Sequence, residues 1–331
     1  MVPFVSLVLP AKNEEAYIGE CMRTLLAQQY PKDRYEIIVV DGNSSDRTVD
    51  IVDSFRQDGG PEIVTLSNPK SIVPISMNMG IKAAKGQYIV RIDAHSTYEA
   101  DYVQKAVEFL EKTDAANVGG PMIAKGTSYV GRAISYIHHS PFGLGGGKFH
   151  DGQYSGYVDT VYLGAFRKEI FDAVGLYDER LVRNQDIELN ARIRKRGYKI
   201  FLTPEIKSTY YNRSSIRGLW QQNYKNGYWN VITKALNPDA LSWRHFIPLL
   251  FVLSILTGLL LSFSWIGLFM LAGALGSYAL ANILFSLRLG RQHGWHYVPV
   301  LMLCFAALHF SYGLGSLISL LKGNLFRQTG Y

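Results

Sequence analysis

Three long apolar segments near the end of the chain limit its fold more than any other feature. Residues 246–263 and 266–287 contain no charged residue, and each is long enough to cross a bilayer as a helix. Residues 298–321 form a third segment, which is less uniformly apolar because it contains His309 and Tyr312. A soluble core does not need two adjacent uncharged segments of this length. We therefore expect a membrane domain over residues 246–331 with three transmembrane helices.

Charge is divided unevenly along the chain. Residues 190–331 hold 15 of the 34 Lys and Arg but only 2 of the 27 Asp and Glu, so the net charge of +7 arises in the C-terminal part. Because this basic part also carries the apolar segments, it predicts contact with anionic membrane lipid. The sequence lacks the interleaved basic and aromatic residues typical of RNA-binding domains, and we expect no nucleic-acid partner.

The N-terminus and the loops predict a multi-pass protein of the cell membrane whose first half is cytoplasmic. No basic region precedes an apolar stretch at the N-terminus, so we expect no signal peptide. After two spans, residues 288–293 return to the cytoplasmic side, as the positive-inside rule favours. A third span places Lys322 and Arg327 outside, which that rule disfavours, so a re-entrant or interfacial third segment is the alternative. Cys21 and Cys304 provide no disulfide framework, which fits a reducing compartment.

Strand and helix patterns alternate over the first part of the chain. Buried strands are predicted over residues 5–9, 36–41, 63–66, 88–93 and 117–120. Helical patterns follow the first four of them, which predicts an α/β fold with a doubly wound sheet over residues 1–212. A further strand is predicted over residues 158–163 and a short helix over residues 167–174.

Residues 213–245 differ in composition from the segments on either side. Trp220, Tyr224 and Trp229 are mixed with Arg217 and Lys225, which is typical of an amphipathic helix lying at the membrane surface. An ordinary amphipathic helix packed on the α/β domain would show the same pattern. We expect a membrane-interface region here.

One predicted strand ends in Asp93, Ala94 and His95. Ligands of open parallel sheets bind beyond the carboxyl ends of the strands, and side chains two residues apart lie on the same side of an extended chain. A carboxylate and an imidazole suit Mn²⁺ or Mg²⁺ on a diphosphate, with Mg²⁺ needing further oxygen and water ligands. A strand that simply ends in a polar turn is the alternative.

A glycine-rich segment, residues 140–156, contains Lys148, His150 and Asp151. It predicts either a flexible lid over a site or a surface loop. It is not a phosphate-binding glycine loop, because no Lys-Ser or Lys-Thr pair closes it.

Four motifs occur in an order that resembles family 2 glycosyltransferases of the GT-A fold. They are Pro10-x-x-Asn13-Glu14, Val39-Val40-Asp41 with the loop to Asp46, Asp93-x-His95, and Asn184-Gln185-Asp186. The longer matches at residues 91–95, 158–167 and 184–190 resemble the succinoglycan-biosynthesis glucosyltransferase subgroup. The likeness covers about residues 4–230 and extends in kind to the apolar tail.

The resemblance implies a nucleotide-sugar donor, with a UDP-sugar expected. Pro10, Lys12 and Glu14 match the segment that lines the nucleotide pocket, and Asp41 matches the carboxylate that binds the base. Asp93 lies beside the donor as well and belongs to the metal site described next.

The resemblance also assigns the reacting end of the site. Asp93 and His95 occupy the position of a metal-binding Asp-x-Asp motif, which implies Mn²⁺ or Mg²⁺ as cofactor. Asp186 matches the general base of inverting members; a helix N-terminal acid or an ion-pair partner is the alternative for this residue. Contacts to the acceptor or the diphosphate are expected from Gln185, Gln222 and Trp229.

The resemblance implies a membrane-bound, inverting, metal-dependent hexosyltransferase of exopolysaccharide biosynthesis that extends a polyprenyl-linked glycan. One alternative is an enzyme that adds a single sugar to polyprenyl phosphate. Another is a nucleotide-sugar-binding membrane scaffold without catalysis. The Gln-x-x-Arg-Trp motif of processive synthases is replaced by Gln221-Gln-Asn-Tyr-Lys225, which favours single-sugar addition.

Overall fold

The structure, a computed structural model, describes residues 2–56, 59–144, 147 and 152–324. It divides into two compact units. The first contains residues 1–123 and 148–211, and the second contains residues 124–147 and 212–331. Lys148, His150 and Asp151 of the glycine-rich segment, and Arg327, lie outside the described residues.

Eleven strands are described. They are β1 Val5–Ala11, β2 Tyr35–Asp41, β3 Glu62–Ser67, β4 Tyr88–Arg91, β5 Ser96–Tyr98, β6 Ala115–Gly120, β7 Ile123–Lys125, β8 Gly156–Tyr157, β9 Tyr162–Arg167, β10 Lys199–Leu202 and β11 Ser208–Tyr211. Eight of these form the main sheet of the first unit in the order β3-β2-β1-β4-β9-β6-β10-β8, and β5 pairs with β11 beside it.

Parallel pairing of β3, β2, β1 and β4 forms the half of the sheet that positions the site. β1 runs parallel to both β2 and β4, with Ala11 opposite Asp41 and Val8 opposite Arg91. β9 then joins the sheet antiparallel between β4 and β6. The carboxyl ends of β1, β2 and β4 therefore lie at the same edge of the sheet.

Both faces of this sheet are buried, because alternate residues of each strand enter two different cores. Leu7 of β1 and Val39 of β2 belong to one core, and Val8 and Ile38 belong to the other. All seven residues of β2 are buried. Continuous apolar runs of this kind are typical of parallel strands covered on both faces, so the predicted α/β sheet is confirmed.

The helices of the first unit cover these faces. They are α1 Ile18–Leu26, α2 Thr48–Asp53, α3 Val73–Ala83, α4 Tyr102–Lys112, α7 Ile170–Val174 and α8 Gln185–Lys195. Helices α5 and α6, which lie between α4 and α7 in the sequence, belong to the second unit. Two predictions were misplaced. The strand predicted over residues 158–163 is β9, Tyr162–Arg167, and the helix predicted from residue 167 begins at Ile170 because Arg167 ends the strand.

The helices of the second unit are α5 Tyr129–His138, α6 Pro141–Leu144, α9 Ile216–Leu236, α10 Ile247–Leu260, α11 Trp265–His293 and α12 Val298–Leu321. The structure differs from the predicted division at residue 212, because residues 124–147 group with this unit. Ala133 and Ile137 of α5 share a buried core with Leu301 and Phe305 of α12, which explains the grouping.

The helix predicted within residues 213–245 is α9, whose buried side mixes apolar, polar and small residues. They are Leu219, Asn223, Gly227, Asn230, Val231 and Thr233. Gly227 permits close packing, since a Cβ there would lie 1.9 Å from the carbonyl oxygen of Tyr312 on α12. The membrane-interface region stays a prediction.

Among the described residues, three helices are long and apolar enough to span a membrane: residues 243–260, 265–293 and 295–321. Trp243, Trp265 and Trp295 are 75%, 77% and 63% exposed at the start of the three segments, as expected for membrane-interface anchors. The second helix continues beyond the predicted end at Leu287 to His293, since residues 288–293 contain no proline and the buried Gly290 is accommodated within the helix. Gly294, with φ of 117°, ends it.

Candidate active site

Two carboxylates lie at the carboxyl edge of the parallel strands. Asp41 is the last residue of β2, and Asp93 follows the end of β4 by two residues. The Ile92 amide still donates to Val8 at 2.9 Å, so the pairing with β1 continues almost to Asp93. This edge is where ligands of open α/β sheets bind.

Side-chain hydrogen bonds join the loop after β1 to the loop after β2. Asn13, which has a left-handed φ of 53°, accepts from the Ser45 amide at 2.8 Å, and its own amide donates to Ser44 Oγ at 2.9 Å. The Ser44 amide donates to Asp41 at 3.2 Å. These bonds bring the predicted nucleotide-binding segment that contains Pro10, Lys12 and Glu14 next to Asp41.

Asp93 is held by the buried Tyr98 and the half-buried Tyr162. Its amide donates to the Tyr98 oxygen at 2.8 Å, and the Tyr162 hydroxyl donates to Asp93 Oδ2 at 3.3 Å. Burial, and after it the negative charge of Asp93, raises the pKa of Tyr162 well above its usual value. The phenol therefore stays protonated and remains a donor to the carboxylate.

Arg91 is a buried cation between two acidic residues. Its Nη2 lies 3.5 Å from Asp93 Oδ1, and its Nη1 lies 3.8 Å from Asp186 Oδ2. Burial lowers the pKa of Arg91, but the charges of Asp93 and Asp186 outweigh burial and raise it above its usual value. The guanidinium is a permanent charge that joins the end of β4 to the start of α8.

The guanidinium of Arg91 keeps hydrogen-bond donors that its contacts with Asp93 and Asp186 do not fully use. Both contacts exceed ordinary hydrogen-bond length. The buried Nε atom of Arg91 has no hydrogen-bond partner among the described residues. A buried polar atom of this kind is costly unless a ligand or water completes its bonding.

Asp186 stands in the first turn of α8. Its side chain is 40% exposed, and Oδ1 accepts from the Ile187 amide at 2.9 Å. The preceding Asn184 has a left-handed φ of 61°, which sets the direction in which the helix begins. Gln185 is buried, and its Oε1 has no hydrogen-bond partner among the described residues. Asp186 is thus placed as a partly exposed carboxylate beside a buried cation.

His95 contacts Glu14 from the segment after β1. Nδ1 of His95 lies 3.3 Å from Glu14 Oε1. A carboxylate on one nitrogen of a histidine is a common way to orient the other nitrogen toward a metal. The predicted nucleotide-binding Glu14 therefore lies beside the predicted metal ligand His95.

The two candidate metal-binding side chains, Asp93 and His95, fit a metal ion that a bound ligand also coordinates. Among the described residues, no group of three or more His, Cys, Asp or Glu side chains is arranged to hold a metal ion by itself. Asp93 and His95 supply one carboxylate and one imidazole, which leaves further positions for ligand oxygens. A divalent ion held jointly with a diphosphate fits these two residues.

Arg91 and Tyr162 are functional candidates to which the sequence analysis gave no role. Arg91 has a usable signal, since it is a charged residue within an apolar strand and shares one side with Asp93. Tyr162 has no such signal in the sequence. It belongs to β9 and meets Asp93 only because β9 pairs with β4. Leu163, at a left-handed φ of 48°, gives this strand an unusual backbone next to Tyr162.

Gln222 and Trp229, the other predicted contacts, lie on α9 in the second unit. They are not among the residues that the first unit brings together, and their assignment stays a prediction.

Comparison with known families decides what kind of site this is. Residues 6–175, about half of the chain, match the model of "Glycosyl transferase family 2". The chain belongs to this family. The transferase therefore carries a GT-A-like α/β domain followed by C-terminal helices, as its motifs predict.

Two relatives match beyond the family domain. The "Dolichyl N-acetyl-alpha-D-glucosaminyl phosphate 3-beta-D-2,3-diacetamido-2,3-dideoxy-beta-D-glucuronosyltransferase" of Methanococcus voltae is 29% identical over 97% of this chain and 98% of its own. The "Succinoglycan biosynthesis protein ExoA" of Rhizobium meliloti is 32% identical over 67% of each chain.

A solved structure supports the fold. A mannosyltransferase from Pyrobaculum calidifontis, determined with GDP-Man and Mn²⁺, superposes with a TM-score of 0.58 at 19% identity, covering 97% of this chain and 88% of its own.

Proposed function

We propose that this membrane-bound transferase moves a hexose from a nucleoside-diphosphate sugar, a UDP-sugar, to a lipid-linked glycan acceptor, with inversion, as in exopolysaccharide biosynthesis. The observation that carries the proposal is the convergence of Asp93 and Asp186 on Arg91, at the sheet edge where Asp41 also ends its strand. In the proposal, Asp93 serves the leaving diphosphate through a metal ion, and Asp186 serves the attacking hydroxyl.

The relatives support a lipid-linked acceptor. The Methanococcus voltae enzyme is named for a dolichyl phosphate that already carries a sugar, and the Rhizobium meliloti protein is named for succinoglycan biosynthesis. The three candidate spans among the described residues would hold the enzyme in the bilayer, where such a lipid-linked acceptor also lies. These observations favour extension of a lipid-linked glycan over transfer to bare polyprenyl phosphate.

The donor pocket is formed by the loops after β1 and β2. We assign Asp41 to the base and Pro10, Lys12 and Glu14 to the wall of the nucleotide pocket, with Asp93 nearer the diphosphate. The cap between Asn13 and Ser45 fixes the two loops in one arrangement. A preformed pocket loses less conformational entropy when the nucleotide binds.

The chemical step is a single displacement. The acceptor oxygen forms a bond to the anomeric carbon as the bond from that carbon to the donor phosphate oxygen breaks. The hydroxyl proton passes to Asp186, and the electron pair leaves with the nucleoside diphosphate. Because Asp186 is partly exposed and can reach an incoming hydroxyl, it is the general base of the proposal.

A divalent ion bound by Asp93 and His95 would neutralise charge on the diphosphate. The protein's own part is to hold these two ligands: Tyr162 donates to Asp93, and Glu14 contacts His95. Arg91 is assigned as a positioning residue that fixes the carboxylates of Asp93 and Asp186 relative to each other. Its planar fork suits two carboxylates better than a lysine would.

We place the first unit on the cytoplasmic side. This orientation puts Arg288 and Arg291, at the end of the second candidate span, on the side that the positive-inside rule favours. Cytoplasmic nucleotide sugars then reach the first unit directly.

The test is release of nucleoside diphosphate by the full chain in detergent with a panel of UDP- and GDP-sugars. Three acceptor conditions are compared: membrane lipid extract, bare polyprenyl phosphate, and no lipid. The proposal predicts release with one donor in lipid extract and loss of release in EDTA. Equal release with bare polyprenyl phosphate would overturn the glycan-extension assignment, and donor binding without release in any condition would support a non-catalytic scaffold.

A further inference from the structure

A pocket in the second unit has a composition that the transfer reaction does not use. One wall, where α5 ends and α6 begins, contributes His139, Ser140 and Pro141. The other wall, from the last turns of α11, contributes Phe285, Arg288, Leu289 and Gln292. The pocket therefore joins three apolar residues to four polar residues, of which Arg288 carries a permanent charge.

The position of Arg288 along α11 places the pocket at the membrane interface. The uncharged stretch 266–287 immediately precedes Arg288. At about 1.5 Å of rise per residue, it extends roughly 33 Å, against about 30 Å for the hydrocarbon core of a bilayer. Arg288 is thus the first charged residue beyond the hydrocarbon, at the depth of lipid phosphates.

The polar groups of the pocket suit an anion. Arg288 and Gln292 are exposed and lie one turn apart on the same side of α11. Nδ1 of His139 donates to the Ser135 carbonyl at 2.8 Å, so this N–H is already bonded within the protein and the donors to an anion are Arg288 and Gln292. Residues 124–147 and 212–331 contain 11 Lys and Arg but a single acid, Asp239, so negative charge here is scarce.

The apolar groups suit a lipid chain. Ile283, Leu284 and Leu287 are exposed on α11 in the turns before Arg288. The two walls are also held together: the ring of Tyr136 on α5 stacks on His293 of α11, with centroids 3.7 Å apart and planes within 4°. A lipid whose head group sits on Arg288 can therefore lay a chain along α11 without opening the pocket.

We propose that this pocket binds the phosphate of an anionic phospholipid from the surrounding bilayer. The phosphate accepts hydrogen bonds from Arg288 and Gln292, and one acyl chain covers the exposed apolar face of α11. Bound lipid strengthens the junction between α5 and α11. The site is distinct from the residues assigned to sugar transfer, and its test measures binding and not turnover.

The test is native mass spectrometry of the full chain released from neutral detergent with phosphatidylglycerol or phosphatidylcholine of equal chain length. The wild type is expected to retain phosphatidylglycerol in preference to phosphatidylcholine. Arg288→Gln should lower retention about tenfold, the scale of one charge-assisted hydrogen bond. Arg291→Gln, an equal loss of charge three residues further along and outside the pocket lining, should change retention less than about twofold.

Further arms separate the alternatives. Gln292→Leu keeps all charges and should also lower retention, which covers the case in which Arg288→Gln fails to fold. Equal losses in Arg288→Gln and Arg291→Gln would overturn the site in favour of general surface attraction. Displacement of bound phosphatidylglycerol by soluble inorganic phosphate would show that the pocket binds free phosphate and not a lipid. Preferential displacement by polyprenyl phosphate would show that the pocket binds the acceptor lipid of the transfer reaction.

Discussion

Nη1 of Arg91 lies 3.8 Å from Oδ2 of Asp186, although the two residues belong to different elements and are far apart in the sequence. The same guanidinium lies 3.5 Å from Asp93. Since a buried cation is costly without partners, the two carboxylates stabilise Arg91, and Arg91 in turn fixes how they lie relative to each other. The proposed base and the proposed metal ligand are therefore not independent sites.

Replacing Arg91 tests this coupling. Arg91→Met should lower kcat at least about tenfold and destabilise the fold by about 1–3 kcal/mol, because two carboxylates lose a buried partner. Arg91→Lys should restore stability more than kcat, since a point charge cannot face both acids in a fixed geometry. Steady-state kinetics and thermal unfolding of both variants provide the measurement.

Arg23→Met is the matched control for Arg91, because Arg23 is mainly exposed and pairs with Glu20 on the surface. It should change stability by less than about 0.5 kcal/mol. If Arg91→Met had kinetics as close to the wild type as this control, Arg91 would not position the two carboxylates.

His138 predicts a pH dependence of stability. It is buried, and burial, followed by the neighbouring His139, lowers its pKa to about 4. In the unfolded chain its pKa is about 6.5, so between about pH 6.5 and 4 the unfolded state binds the extra proton and stability falls as the pH falls. The loss is at most about 1.4 kcal/mol per pH unit. Thermal unfolding at pH 7 and pH 5 measures it.

Substituting His138 by Asn should flatten this pH dependence, whereas His139→Asn, at the exposed neighbouring position, should leave most of it in place. An unchanged difference between pH 7 and pH 5 in His138→Asn would show that another group is responsible.

Close packing of α9 on α12 predicts a second stability effect. A Cβ at Gly227 would lie 1.9 Å from the Tyr312 carbonyl oxygen, whereas a Cβ at Gly276 would meet no atom within 4 Å. Gly227→Ala should destabilise the protein by about 1–3 kcal/mol through overpacking. Gly276→Ala, a change of the same size in an open position on α11, should not. Similar melting temperatures for the two variants would contradict the packing described.

Much of the α/β sheet could be predicted because its strands are short apolar runs with a clear end. Asp41 ends one buried strand and Asp93 follows another, and parallel strands bring their ends to one edge. The match to the family, and the three candidate spans, follow from equally local patterns.

Contacts between distant parts of the chain could not be predicted in this way. Arg91 is recognisable as a charged residue within an apolar strand, but its contact with Asp186 is not. The grouping of residues 124–147 with the second unit depends on Ile137 meeting Phe305, which no periodicity reveals. The close approach of α9 to α12 at Gly227 could not be predicted either, because it depends on the partner helix and not on the local pattern.

Asp186 is proposed to take the proton of the acceptor hydroxyl, and the turnover of an Asp186 variant tests this role directly. Asp186→Asn removes the base while keeping size, so transfer with the functional donor should fall about 10²- to 10⁴-fold with donor binding preserved. Asp172→Asn, an exposed acid on α7, serves as the control and should keep normal turnover. Turnover of Asp186→Asn equal to that of Asp172→Asn would contradict the account.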